Sequence, residues 1–116
     1  MLKRDEKFIL KGIPADRTYS RYVDPERGVS VIALMLGDES IQISSITGKE
    51  LDSRSKLEYI CDIFKQSGAE NVGIHPTGIQ YLYLEAGLEF DPTESNHLPK
   101  KNVVEAIDNY LNNNYK

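Results

Sequence analysis

Three stretches in the first half of the chain carry the patterns that strands carry. Arg17-Thr-Tyr-Ser-Arg-Tyr-Val23 alternates, with Tyr19 and Val23 on one face and Tyr22 on the other. Asp24-Pro25-Glu26-Arg27-Gly28 reads as a turn, because proline presets φ and glycine takes a conformation other residues avoid. Val29-Ser-Val-Ile-Ala-Leu-Met-Leu36 is apolar on both faces, the signature of a central strand covered on both sides. Gly37-Asp38-Glu39-Ser40 is a second turn, and Ile41-Gln-Ile-Ser-Ser-Ile-Thr47 a further strand. Hairpin connections make these three antiparallel. Residues 8–13 are a weaker strand candidate ahead of them.

The period then changes. From a cap at Ser53 or Ser55 to about Gln66, Leu57, Ile60, Cys61 and Phe64 recur at i, i+3, i+4, i+7, with Tyr59 and Ile63 widening the stripe. That predicts a helix over 54–66, with Gly68 as its left-handed stop. Asn71-Val72-Gly73-Ile74-His75 reads as a short buried strand and residues 77–86 as a second helix. Gly87-Leu88-Glu89-Phe90 closes that helix and begins another extended piece; residues 91–99 read as a loop. A last helix, about 100–112, buries Val103, Val104, Ile107, Tyr110 and Leu111, and the asparagine-rich tail 112–116 frays. A helix between strands 41–47 and 71–75 sets them parallel through a right-handed crossover. The order β-β-β-β-α-β-α-β-α predicts an α+β fold on a mixed sheet, antiparallel at one end with a parallel pair in the middle.

Bulk properties narrow the function. A chain of 116 residues is the size of a single domain with one core. A net charge of -4 argues against direct nucleic-acid binding, which needs clustered lysine and arginine. One cysteine cannot form an internal disulfide, and no apolar run approaches a membrane-spanning length, so a reducing, cytoplasmic location is expected. Two histidines and one cysteine without paired spacing predict no metal site.

The strand order and the ending Tyr83-Leu84-Glu85-Ala86-Gly87-Leu88-Glu89 resemble the acetyl-CoA-dependent N-acetyltransferases of the GNAT superfamily over roughly residues 17–90. In that family a strand, a cofactor-binding helix and a parallel strand precede a helix ending in a Tyr-x-x-x-Gly motif. The resemblance implies acetyl-CoA as cofactor and a protein or small amine as acceptor. It implies that backbone groups of strand 41–47, at Ile46 and Thr47, hold the thioester, and that Arg54, Ser55 and Lys56 stand by the phosphates. Tyr83 would be the general acid toward the departing thiolate. The chain departs from the family where an Arg/Gln-x-x-Gly-x-Gly/Ala loop normally opens the cofactor helix. Here the stretch is Gly48-Lys49-Glu50-Leu51-Asp52-Ser53-Arg54-Ser55-Lys56-Leu57-Glu58, whose single glycine lies well before the helix. Pro76 stands where the family often has asparagine.

Other chemistry-bearing residues have ordinary readings beside functional ones. Tyr83 can equally pack its ring and wet its hydroxyl, and Tyr81, on another face, is structural. His75 ends a strand at the edge where ligands bind, with a pKa suited to a general base, or else it bonds a loop carbonyl. His97 is solvated, and Cys61 lies in the buried stripe as packing. Ser44, Ser45, Glu39 and Glu50 stand near the sheet ends without a required role. A second class of function therefore stays open: a non-catalytic protein-binding or inhibitory module using the acidic surface and the last helix. Homodimerisation through a strand edge fits either class.

Overall fold

In the computed structural model of the chain, which describes residues 2–5, 17–36, 39–74, 79–88 and 97–114, six strands form one sheet in chain order. β1 (Lys3–Arg4), β2 (Arg17–Asp24), β3 (Val29–Leu36) and β4 (Ser40–Thr47) are successive antiparallel neighbours. α1 (Ser53–Gln66) leads to β5 (Asn71–Gly73), which runs parallel to β4 with Ser40 opposite Asn71 and Ile41 opposite Val72. α2 (Gln80–Glu85), β6 (His97–Pro99), antiparallel to β5, and α3 (Lys100–Asn114) complete the order. The fold is α+β on a mixed sheet; β2, β3, β4, α1, β5, α2 and α3 lie in the segments whose hydrophobic pattern predicts them, whereas β1 and β6 are not the strands predicted at 8–13 and from 87–90.

Side-chain alternation decides which residues meet in the core. The register sets Val31 between Tyr22 and Ile46, Ala33 beside Ile43, and Met35 beside Ile41, so these residues share one face. That face packs with Leu57, Ile60, Ile63 and Phe64 of α1 and with Val103 and Ile107 of α3 in a single apolar cluster. Leu34, on the opposite face of β3, is buried too. β4 keeps its apolar residues inward only because it bulges. Ile32 faces Ser45 while Ala33 faces Ile43, so Ser44 is the extra residue, and the slip returns Ile46 to the core face.

Several local expectations are corrected. The last strand is His97–Pro99, inside the stretch read as loop, because β5 would otherwise leave its outer backbone groups unpaired. The cap of α1 is Asp52, whose Oδ1 accepts from the Ser55 N–H at 2.9 Å, while Ser53 and Ser55 lie within the first turn. Gly68 is not left-handed; α1 stops at Ser67, extended at φ -71°, whose N–H reaches Ile63 O and whose hydroxyl reaches Phe64 O. β5 ends at Gly73 rather than at residue 75. α2 is shorter than its pattern but ends where the glycine predicts. Gly87, at φ 84°, donates to Leu84 O and Leu88 donates to Tyr83 O, the paired bonds of a Schellman motif. On α3, Val103 and Ile107 are buried, whereas Val104, Tyr110 and Leu111 pack only in part. The 8–13 candidate strand, residues 37–38, 75–78, 89–96 and 115–116 lie outside the described residues, and the first described strand is β1. No helix among the described residues is long and apolar enough to cross a membrane.

Candidate functional site

The parallel β4–β5 pair is short. It is joined at Ser40–Asn71 and Ile41–Val72, and β5 ends at Gly73, where a Cβ would come within 3.2 Å of Gln42 Oε1. Past that point β4 runs on through the Ser44 bulge to Thr47. The loop that follows places the start of α1 near the far end of β4, and its one strained residue is Glu50, at φ 61° without being glycine.

The residues expected at the phosphates gather at the first turn of α1, and each is bonded to a neighbour. Asp52 spans the helix N-terminus, and the Ser55 N–H that it accepts holds its carboxyl below the usual carboxylate range. The Ser55 hydroxyl accepts from Arg27 Nη2 at 3.3 Å. Arg54 Nε donates to Glu58 Oε1 at 3.0 Å, a pairing within one helical turn. Lys56 Nζ donates to the Tyr81 hydroxyl at 3.5 Å. On β4, Ile46 packs partly buried against the core, and Thr47 Oγ1 donates to Ser30 O at 3.2 Å. Ser55 thus contacts Arg27 of the β2–β3 turn and Lys56 contacts Tyr81 of α2, while Ile46 and Thr47 remain with the sheet.

Tyr83 belongs to a different environment. It is 1% exposed, its ring lies 6.4 Å from that of Phe64 at 11°, and its buried hydroxyl makes no hydrogen bond. Burial pushes its pKa well above the usual phenol range, so the side chain holds its proton. Both readings of Tyr83 assumed a hydroxyl in contact with water or ligand; packing of α2 against α1 seals it in the core instead. Tyr81, read as structural, is 49% exposed. His75 lies outside the described residues.

A second polar cluster was not anticipated. The Tyr59 hydroxyl donates to Asp24 Oδ2 at 2.9 Å, and the Arg27 guanidinium lies 5.4 Å from the centre of the Tyr59 ring. The bond from Tyr59 lowers the Asp24 pKa, and burial, then Asp24 itself, raises that of Tyr59. The cluster ties the β2–β3 turn to α1. Its sequence signal was Tyr59 widening the apolar stripe of α1, a position where a polar tip needs a partner across the core edge. A surface hollow of about 490 Å³ lined by Lys3, Asp24, Pro25 and Glu26 lies beside it, and among the described residues its lining includes none of those expected at the site. Cys61 is buried and its Sγ lies 3.5 Å from Asp108 Oδ1, which Lys65 also contacts at 3.2 Å. Burial pushes the Cys61 thiol up to about 11, the opposite of what a nucleophile needs. Among the described residues no group of His, Cys, Asp and Glu is arranged to hold a metal ion.

No protein family, no curated protein and no solved structure matches this chain significantly.

Proposed function

We propose that this chain is a divergent acetyltransferase-like domain whose scaffold serves as a protein-binding module. The observation that carries the reading is the start of α1. A CoA pyrophosphate would need the free N–H groups at that helix end, yet the Asp52 carboxylate occupies one of them and adds negative charge where the anion would sit. Arg54 is turned to Glu58, and the hydroxyl that would serve as general acid is sealed in the core. The exposed apolar side chains Tyr81 and Leu84 offer a contact surface instead.

The test is a thermal-shift and calorimetric titration with acetyl-CoA and with free CoA. A ligand at 100 times its Kd stabilises the native state by about 2.7 kcal/mol, which such a titration reads easily. The expected result is no shift up to millimolar ligand. A saturable rise overturns the reading and leaves the second one, an acyl-CoA-dependent N-acetyltransferase acting on a protein or small amine. That alternative is favoured by the early end of the β4–β5 pair, which leaves β4 unpaired by β5 beyond Ile41. In it, Tyr83→Phe lowers turnover while leaving acetyl-CoA binding intact.

A further inference from the structure

Tyr81 and Leu84, 49% and 55% exposed, stand three residues apart on the outer face of α2, whose inner face buries Leu82 and Tyr83. Glu85 shares that outer face and is held by the Tyr110 hydroxyl of α3 at 2.9 Å. Side chains on a helix lean toward its N-terminus, so the Tyr81 hydroxyl, with Lys56 Nζ against it, lies at the opposite end of α2 from Glu85. Arg54 is ion-paired with Glu58, and among the described residues the contact shown for the Lys56 ammonium is the uncharged Tyr81 hydroxyl. The face is thus apolar in the middle, positive at one end and negative at the other.

We infer that this face associates with a second copy of the chain about a two-fold axis, α2 against α2 in antiparallel fashion. This names the partner of the protein-binding reading and rests on it. An isologous interface must be its own complement, and a patch with opposite charges at its two ends meets that requirement: Lys56 of one copy faces Glu85 of the other, twice, around Tyr81 and Leu84. The strand edges are poorer candidates. The described outer strands β1 and β6 span two and three residues, and β6 ends in Pro99, which has no N–H to donate. Two half-exposed side chains per copy fall short of the roughly 800 Å² per partner of a standard interface, so the dimer is weak and forms at high concentration.

Sedimentation velocity on the full chain from about 10 μM to about 1 mM at low ionic strength, where surface charge pairs are least screened, tests the inference. Wild type shifts from monomer toward dimer across that range, and Leu84→Glu stays monomeric with unchanged thermal unfolding. Lys56→Glu and Glu85→Lys each stay monomeric alone, because each places like charges together at both ends. Mixed in equal amounts, they dimerise, since every charged contact is again a pair of opposites. A wild type that is monomeric throughout, a dimer indifferent to Leu84→Glu, or a mixture no more associated than its components overturns the inference. None of these outcomes touches the protein-binding reading, which the acetyl-CoA titration decides separately.

Discussion

Replacing Tyr83 by phenylalanine removes one oxygen and leaves the ring, and the result should be a more stable protein. The hydroxyl is hydrated in the unfolded chain, whereas in the fold it is buried with no hydrogen-bond partner. Protein mutational data put the cost of burying such a group unpaired at about 1–3 kcal/mol. The ring keeps its stacking against Phe64, so little packing is lost in exchange. Tyr83→Phe is therefore expected to stabilise the domain by about 1–2 kcal/mol, at the lower end because the small void left by the oxygen forfeits some contacts. For a chain of this length that is a rise of roughly 4 °C in Tm per kcal/mol. Urea unfolding at pH 7 measures it directly: the midpoint moves up and m stays the same. A loss of about 0.5 kcal/mol or more would mean that the hydroxyl makes a bond in solution, and the account of Tyr83 as a sealed core residue would fall. The same variant separates the two functional readings, since a transferase using Tyr83 would lose turnover, whereas a sealed hydroxyl predicts only the gain in stability.

Two further outcomes follow from titrating groups. The folded-state pKa of Asp24 is lowered, first by the bond from Tyr59, so its contribution is present above the unfolded value near 3.8 and is lost as pH falls through the folded value. Tyr59→Phe is accordingly less stable than wild type at pH 7, and the gap narrows below about pH 4; urea unfolding across pH 3–7 that shows a constant gap would contradict the linkage. Cys61 is raised from 9.0 to about 11 by burial, so wild type loses stability as pH rises through that window. Cys61→Ala lacks this loss, and the difference between the two proteins should shrink from pH 8 to pH 11; parallel curves would refute it.

What the amino-acid order determined is whatever depends on local periodicity. The all-apolar run 29–36 and the seven-residue spacing of Leu57, Ile60, Cys61 and Phe64 bury their side chains only as a central strand and as a helix, and the alternation in 17–23 marks a strand, although the residues it buries are Ser20, Tyr22 and Asp24. Gly87 closes α2 because its left-handed bonds need no distant partner. The parallel setting of β4 and β5 also follows, since a helical crossover between two strands of one sheet returns the second in the direction of the first. Tertiary structure decided the rest, because the deciding partner lay far along the chain. β6 carries no alternation of its own and exists because β5 needed hydrogen bonds on its outer side. The Ser44-Ser45 doublet looked like part of a regular strand; the demand that Ile46 reach the core turned it into a bulge. At the candidate site, Tyr83 read alone is an amphipathic side chain on a short helix with its hydroxyl free to point anywhere. Only the stacking of α2 on Phe64 chose its buried side, and only the assembled surface left Tyr81, Leu84 and Glu85 exposed, with half-buried Lys56 against Tyr81.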